Sequence, residues 1–208
     1  MILFDFDGTL VDSNGVWERI DLDFLGRHGL EPTEEYAHTV GHSIFPLAAQ
    51  YTRDYYRLDM SAQAIMDEWL SLAWDEYAHR VPFKPGAEDF LRACRGRGEP
   101  MALVTACAPR LCRAALARLG LEGWFRDLVF VEELGLTKRE PEAFPQILAL
   151  LGAEAGACTL YEDSPGACAA AKAAGLTVVG VYDRFYAAYE DELRRVCDRF
   201  ILDFTELL

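Results

Sequence analysis

The sequence predicts an α/β fold, a doubly wound parallel sheet with helices on both faces and a helical insertion after the first strand. Short apolar runs alternate with helical patterns over most of the chain, and this order of elements is typical of parallel sheets. The runs are continuously apolar, as expected for strands that are buried on both faces. Residues 14–80 contain no convincing strand pattern, so we expect this stretch to be helical.

Five strands are predicted, each bounded by Gly, Pro or polar residues. They are Ile2–Phe6, Met101–Thr105, Leu128–Val131, Thr159–Glu162 and Thr177–Val181. Open parallel sheets bind ligands beyond the carboxyl ends of their strands. We therefore expect functional residues where these apolar runs end.

Helical patterns lie between the predicted strands. In Glu142–Leu151, apolar residues recur at i, i+3, i+4 and i+7, which is the spacing of one helix face. Ser164–Ala174 begins with a serine at the N-cap and a proline at the first helical position, and Gly175 follows its end. A third helix, through residues 111–119, is expected to stop at Gly120.

The insertion divides the chain into two predicted domains. An α/β core is expected from residues 1–13 and 81–208, and a helical cap from residues 14–80. Apolar side chains of the insertion share helix faces, as at Trp17, Ile20 and Phe24.

Composition limits the classes of partner. The chain has 208 residues, 51% of them apolar, which is enough for a sizeable core. The formal net charge of −14 argues against nucleic acid and against anionic membranes as partners. No uncharged apolar run approaches the ~18 residues of a membrane span, and nothing resembles a signal peptide. The six cysteines form no C-x2-C pair, so we expect reduced thiols. We expect a cytoplasmic protein, with a monomer as the default oligomeric state.

Two aspartates end the first predicted strand. Residues two apart in an extended chain point the same way, so Asp5 and Asp7 are expected to face one site, with Gly8 turning the chain. Two carboxylates this close require a cation or a shared proton, and a hard cation such as Mg²⁺ suits oxygen ligands. A turn with two solvated aspartates is the alternative.

Polar residues also follow later strands. Thr105 ends the second strand, and its hydroxyl with the adjacent amides suits a phosphoryl oxygen, although a threonine there is often only a cap. Lys138 lies in a loop before a helix, where it is either an oxyanion partner or a solvated lysine. Glu162 and Asp163 end the fourth strand. They suit a metal ion, or they favour the dipole of the following helix.

These segments together resemble the four motifs of the haloacid dehalogenase superfamily. The segments are D-F-D-G-T-L-V-D-S, L-V-T, T-K-R-E-P-E-A-F and Y-E-D-S-P-G-A-C-A-A-A-K-A-A-G. The helical insertion after the first motif is similar to the cap of the branch that contains phosphoglycolate phosphatase and beta-phosphoglucomutase. The resemblance implies a Rossmann-like parallel sheet core with an inserted helical cap.

The resemblance also implies catalytic roles. Asp5 matches the nucleophile, and Asp7 matches the general acid/base. Lys138, Thr105 and the amide of Ala106 match the groups that bind the phosphoryl oxygens.

A Mg²⁺ cofactor and substrate contacts in the cap follow from the same resemblance. The implied metal ligands are acidic, namely Asp5, Asp7 through its carbonyl, Glu162 and Asp163. The residues expected to contact substrate near or within the cap are Asn14, Trp17 and His42, although Trp17 as a core aromatic and His42 as a solvated loop residue are the alternatives.

The chain departs from the family pattern at three positions. Arg139 follows the motif-three lysine, where proline is usual. Ala106 stands where motif two usually has a polar residue, which leaves only its backbone amide for binding. Trp17 stands where related sugar-phosphate mutases have a histidine that governs proton transfer, which weakens a mutase assignment.

The expected function is therefore Mg²⁺-dependent hydrolysis of a small phosphorylated metabolite through an aspartyl-phosphate. A sugar phosphate, phosphoglycolate or a nucleoside monophosphate would each fit a small site covered by a cap. The rival functions are a sugar phosphomutase of the beta-phosphoglucomutase type, a haloacid dehalogenase, which needs neither metal nor Asp7, and a non-catalytic protein that binds a phosphorylated metabolite.

Overall fold

The computed structural model of the chain describes residues 1–41 and 43–208. It contains a six-stranded sheet with the strand order β3-β2-β1-β4-β5-β6, in which all five pairings are parallel. The strands are β1 (Ile2–Phe4), β2 (Met101–Thr105), β3 (Asp127–Phe130), β4 (Thr159–Glu162), β5 (Thr177–Val181) and β6 (Arg199–Ile201). This sheet confirms the predicted fold class.

Strand β1 lies at the centre of the sheet, between β2 and β4. Phe4 is in register with Leu103 on one side and with Tyr161 on the other. From β1 the chain builds the sheet outwards through β2 and β3, and then crosses to the other side of β1 to form β4. Ligands of open α/β sheets bind at such a change of direction.

Three predicted strands have the observed bounds, and the others differ. β1 ends at Phe4 rather than Phe6, and β3 begins one residue earlier than expected. β6 was not predicted from the sequence. It has three residues, begins with the exposed Arg199 and pairs with β5 alone, so it lacks the continuous apolar run of a central strand.

Helices cover both the insertion and the strand connections. The α-helices of the described residues are α1 (Asn14–Arg27), α2 (Glu34–Gly41), α3 (Phe45–Tyr56), α4 (Ala62–His79), α5 (Ala87–Gly96), α6 (Pro109–Arg118), α7 (Ala143–Leu151), α8 (Pro165–Ala173) and α9 (Glu190–Val196). Short 3-10 segments lie at Val131–Leu134, Ala155–Ala157, Arg184–Tyr189 and Phe204–Leu207. Within this described part of the chain, no helix combines the length and the apolar character that crossing a membrane requires.

Apolar side chains bury both faces of the sheet. One cluster joins strand residues such as Leu3 and Leu160 to Phe144 and Ile147 of α7, all with no exposed surface. Burying a side chain of this size contributes about 1.5–3 kcal/mol. Elsewhere in the same core, Phe4 stacks on Tyr161 at a ring-centroid distance of 5.1 Å. The residues at the carboxyl ends of the strands are thus supported by a buried, well-packed core.

The chain divides into two compact units. The first consists of Met1–Asn14 and Val81–Leu208 and contains the whole sheet, and the second consists of Gly15–Arg80. We refer to them as the core unit and the helical unit.

Aromatic packing and one buried polar cluster stabilise the helical unit. The Tyr36 ring lies 4.9–6.1 Å, centroid to centroid, from three other tyrosine rings. The Tyr36 hydroxyl donates to Asp21 Oδ1 at 2.7 Å and lies 3.0 Å from Thr52 Oγ1. The Thr52 hydroxyl in turn donates to the Ala48 carbonyl at 2.8 Å. Each buried polar group here has a partner, which avoids the cost of an unsatisfied one.

Candidate active site

Polar and acidic side chains converge at the carboxyl ends of the three central strands. Asp5 follows β1, Thr105 ends β2, and Glu162 and Asp163 end and follow β4. All four are buried, with at most 4% of their surface exposed. The site therefore lies where the chain changes direction across β1.

Lys138 joins two of these acids. It lies in the loop before α7, is 8% exposed, and its ammonium donates to Asp5 Oδ1 and to Glu162 Oε2, the latter at 2.7 Å. Burial alone would lower the pKa of Lys138, but the charges of Asp5 and Glu162 outweigh it and raise the pKa. Lys138 therefore carries a fixed positive charge beside Asp5.

Both oxygens of Glu162 have hydrogen-bond donors. While Oε2 accepts from Lys138, Oε1 accepts from the backbone N–H of Ser164 at 3.0 Å. Ser164 stands at the predicted N-cap of α8, but its side chain makes no capping hydrogen bond. The turn into α8 is therefore stabilised by Glu162, which also orients Lys138.

Asp163 is held by Thr9 of the first motif and by Asn14, the residue that follows this motif. Thr9 Oγ1 donates to Oδ1 at 3.3 Å, and the amide of Asn14 donates to Oδ2 at 3.0 Å. Gly8 has a φ of +76°, and a Cβ at this position would lie 2.2 Å from Asp163 Oδ2. Glycine is therefore required both by the left-handed turn and by the approach of this carboxylate.

Asp7 differs from Asp5 in its surroundings. Asp7 is partly exposed, whereas Asp5 is buried. The Ser13 hydroxyl donates to Asp7 Oδ1 at 2.6 Å and orients this carboxylate. Two carboxylates that follow the same strand thus lie in different environments, one buried and one partly exposed.

The buried acids fit a divalent cation. Single carboxylate oxygens of Asp5, Glu162 and Asp163 all lie within 4.8 Å of one another. Burial, followed by the charge of Glu162, raises the pKa of Asp5 to about 7, and burial with the charges of Glu162 and Asp5 raises the pKa of Asp163. Lys138 offsets part of this negative charge, and a hard cation bound by oxygen atoms would offset the rest.

Thr105 forms a tight turn at the end of β2. Its hydroxyl oxygen accepts from the backbone N–H of Cys107 at 2.9 Å. Ala106, between them, is exposed. The threonine caps its own loop, as one of the sequence interpretations held, and its hydroxyl hydrogen can still be donated to a ligand.

The remaining predicted site residues lie elsewhere or contact protein groups. Asn14 is engaged with Asp163. Trp17 belongs to the helical unit and packs edge-on against Phe45, at a centroid distance of 5.6 Å. His42 lies outside the described residues.

A buried ion pair at the same edge of the sheet was not predicted. Lys84 Nζ donates to Asp183 Oδ2 at 2.6 Å, and Asp183, which follows β5, is 2% exposed. The charge of Asp183 contributes to the raised pKa of Asp163. The scarcity of lysine in the chain (Lys84, Lys138 and Lys172 are the three) was the one sequence signal that could have drawn attention to Lys84.

Comparison with known proteins assigns the family. A family model described as haloacid dehalogenase-like hydrolase matches residues 1–175. The chain belongs to the haloacid dehalogenase-like hydrolases. Hexitol phosphatase A of Escherichia coli is 32% identical over 181 residues, which cover 86% of this chain and 81% of that protein. Phosphoglycolate phosphatase of Pseudomonas putida is 30% identical over 190 residues, which cover 87% of this chain and 68% of that protein.

Solved structures share the fold of this haloacid dehalogenase-like hydrolase. CbbY from Rhodobacter sphaeroides, in complex with phosphate, has a TM-score of 0.82 at 20% identity, with 99% of this chain and 95% of that chain covered. Beta-phosphoglucomutase from Clostridium difficile has a TM-score of 0.77 at 15% identity, with coverages of 100% and 92%. At these identities the likeness concerns the fold alone.

Proposed function

We propose that this haloacid dehalogenase-like hydrolase is a Mg²⁺-dependent phosphatase of small phosphorylated metabolites, with Asp5 as nucleophile and Asp7 as general acid/base. The observation that carries the proposal is the buried convergence of Asp5, Glu162 and Asp163 beside Lys138. The helical unit is proposed to serve as the cap domain.

The acids are proposed to divide the work of binding the cation. Asp5, the Asp7 carbonyl and Asp163 would hold Mg²⁺, and Glu162 would contribute its negative charge while orienting Lys138. When bound, Mg²⁺ supplies positive charge that reduces the repulsion between the Asp5 carboxylate and the substrate phosphate. This division is supported by the kind of partner that each acid has: Glu162 accepts from the Lys138 ammonium, whereas the donors to Asp163 are the neutral groups of Thr9 and Asn14.

The chain's own residues account for the bond changes. Asp5 attacks phosphorus with one carboxylate oxygen, so that an O–P bond forms while the P–O bond to the substrate alcohol breaks. Asp7 donates its proton to the departing alkoxide. Water then attacks the aspartyl-phosphate, Asp7 takes a proton from that water, and the Asp5 O–P bond breaks to release inorganic phosphate.

Charge development in this reaction falls on the phosphoryl oxygens. Lys138 provides a fixed cation next to the attacking carboxylate, and the Thr105 hydroxyl and the Ala106 amide are proposed to donate hydrogen bonds. Preorganised donors of this kind stabilise the transition state more than the ground state.

Substitution of the nucleophile tests the proposal. Asp5→Asn retains size but removes nucleophilic charge, and turnover should fall by at least about 10³-fold. The matched control is Asp23→Asn, which makes the same charge change at an exposed position of α1 and should retain full activity. Phosphate release by Asp5→Asn within tenfold of wild type would eliminate Asp5 as nucleophile.

The substrate class is best searched with a panel that the relatives suggest. Hexitol phosphates, fructose 1-phosphate and phosphoglycolate should be offered with Mg²⁺, since the names of related proteins refer to these compounds. Chelation of Mg²⁺ should abolish phosphate release, and added Mg²⁺ should restore it. A rate that is unchanged by chelation would contradict the metal-dependent scheme.

A sugar phosphomutase is the second candidate. The Glu162-Asp163-Ser164 form of motif four resembles the mutase side of the branch, whereas Trp17 replaces the histidine of the mutases. A mutase would retain its aspartyl-phosphate against water. Steady phosphate release without any sugar bisphosphate would therefore exclude the mutase function.

A further inference from the structure

Two adjacent acids of the site have different kinds of partner. Glu162 accepts from the Lys138 ammonium at 2.7 Å and is thus paired with a positive charge. The donors that reach Asp163 are neutral, namely the Thr9 hydroxyl at 3.3 Å and the Asn14 amide at 3.0 Å. Each of these donors contacts a different oxygen of Asp163, which fixes the plane of the carboxylate.

We infer that Asn14 is a positioning residue, which sets the Asp163 carboxylate in the orientation that binds a divalent cation. This inference rests on the proposed metal-dependent function and adds a residue to it. Asn14 was predicted from the sequence to contact substrate, and its observed partner is instead a proposed metal ligand.

A neutral donor suits this position for electrostatic reasons. Asp163 is 3% exposed and lies near the negative charges of Glu162, Asp5 and Asp183. An N–H donor stabilises the ionised form of a carboxylate. Because the amide is neutral, it leaves the negative charge of Asp163 available to a cation. A lysine at the same place would neutralise that charge and compete with the metal.

The contact is also sterically confined. A Cβ at Gly8 would lie 2.3 Å from Asn14 Nδ2 and 2.2 Å from Asp163 Oδ2, so the amide and the carboxylate both lie directly against the Gly8 backbone. This leaves little space for another arrangement of the two groups. Asn14 is also the one asparagine of the 208-residue sequence, although that fact alone would not reveal its partner.

Direct binding of Mn²⁺, a paramagnetic substitute for Mg²⁺, tests the inference without reference to turnover. Free Mn²⁺ is measured by its electron paramagnetic resonance signal during titration of wild type, Asn14→Ala and Asn14→Leu. The leucine variant keeps the branching and the number of side-chain heavy atoms and lacks the N–H donor, and the alanine variant removes the amide without adding bulk. Loss of a partner that orients a metal ligand typically weakens metal affinity by 10–100-fold, so both variants should bind Mn²⁺ at least about tenfold more weakly.

The matched control is Gln63→Ala. Gln63 makes an amide-to-carboxylate hydrogen bond of 2.9 Å to Asp67, exposed on α4 of the helical unit. This control should bind Mn²⁺ as wild type does, and thermal unfolding of each variant verifies folding. Phosphatase activity at saturating Mn²⁺ should recover to within about threefold of wild type in both Asn14 variants.

Each alternative outcome is distinct. Wild-type Mn²⁺ affinity in folded Asn14→Ala and Asn14→Leu would overturn the inference, and a raised KM for substrate with unchanged Mn²⁺ affinity would assign Asn14 to the substrate instead. Failure of the wild-type protein to bind Mn²⁺ at millimolar concentration would overturn the proposed metal dependence itself, and the inference with it.

Discussion

In the core unit, three carboxylates are buried together and two of them accept from the Lys138 ammonium, whereas in the helical unit the buried polar cluster consists of two hydroxyls and the Asp21 carboxylate. The first cluster carries excess negative charge at the edge of the sheet where open α/β folds bind ligands, and each group of the second cluster has a hydrogen-bond partner within it. The comparison indicates that the acids of the core unit leave negative charge that a cation could offset, while the Asp21, Tyr36 and Thr52 cluster is hydrogen-bonded within the helical unit.

The largest effect is expected from removing the positive charge of the core cluster. Lys138→Met leaves Asp5 and Glu162 buried without their ammonium, which should lower the free energy of unfolding of the metal-free protein by about 3–5 kcal/mol. Loss of one donor to the transition state should also reduce kcat by about 10²–10³-fold. Urea unfolding and phosphate-release assays measure the two effects.

An exposed ion pair of the same unit gives the control for Lys138→Met. Lys172 contacts Asp198 at 2.7 Å, and the two side chains are 33% and 43% exposed. Lys172→Met should cost less than about 1 kcal/mol, because solvent screens such pairs. Equal destabilisation by both substitutions would contradict the special role of the buried cluster.

The second-largest difference between the units is expected from alanine substitutions at left-handed glycines. Gly8 in the core unit and Gly29 in the helical unit have φ values of +76° and +69°, but only a Cβ at Gly8 would meet other atoms within 4 Å. Gly29→Ala should cost about 1 kcal/mol, and Gly8→Ala about 2–4 kcal/mol because overpacking is added. Thermal unfolding and Mn²⁺ binding are measured for both variants. Equal losses of stability would show that the atoms around Gly8 can move to accommodate a Cβ.

A smaller effect is expected within the helical unit. Tyr36→Phe removes the hydroxyl that donates to Asp21, and should lower the free energy of unfolding by about 1–3 kcal/mol with unchanged kcat. Tyr55→Phe is the control, because its hydroxyl pairs with Thr33 at an exposed site and should cost less than about 1 kcal/mol. A large fall in kcat for folded Tyr36→Phe would contradict a purely structural role.

The smallest effect is a pH dependence that originates from Asp21. Burial raises the pKa of Asp21 from 3.8 to about 6, although its hydrogen bond from Tyr36 opposes this. The folded state therefore favours the protonated acid, so this contribution to stability is complete below about pH 4 and is lost as the pH rises through about 6. After allowance for partial exposure, wild type should lose about 1 kcal/mol relative to Asp21→Asn between pH 5 and pH 8. Urea unfolding at both pH values measures this difference, and a constant difference would contradict the assignment.

The sheet was predictable from the sequence because its central strands are continuously apolar. Met101–Thr105, Thr159–Glu162 and Thr177–Val181 have the expected bounds. The three-residue edge strand β6, which begins with Arg199, carries no comparable signal. Local pattern thus identified the five apolar strands, among them the other edge strand β3, and missed the short β6.

The candidate site was predictable to the extent that it follows strand ends. Asp5, Thr105 and Asp163 were selected for that reason, and their chemical roles remain predictions. The Asn14–Asp163 and Lys84–Asp183 contacts join residues 149 and 99 positions apart. Such pairs depend on how distant segments pack, and no periodicity within either segment encodes them.

The central place of β1 has a consequence for biosynthesis. Leu3 pairs with Ala102 on one side and with Leu160 on the other, so a growing polypeptide that has not yet emerged to β4 leaves one edge of β1 open. During that interval Asp5 lacks Glu162 and Asp163, and the unpaired edge can associate with other chains. Ribosome-bound nascent chains that end before residue 159 should therefore depend on chaperones more than chains that include β4.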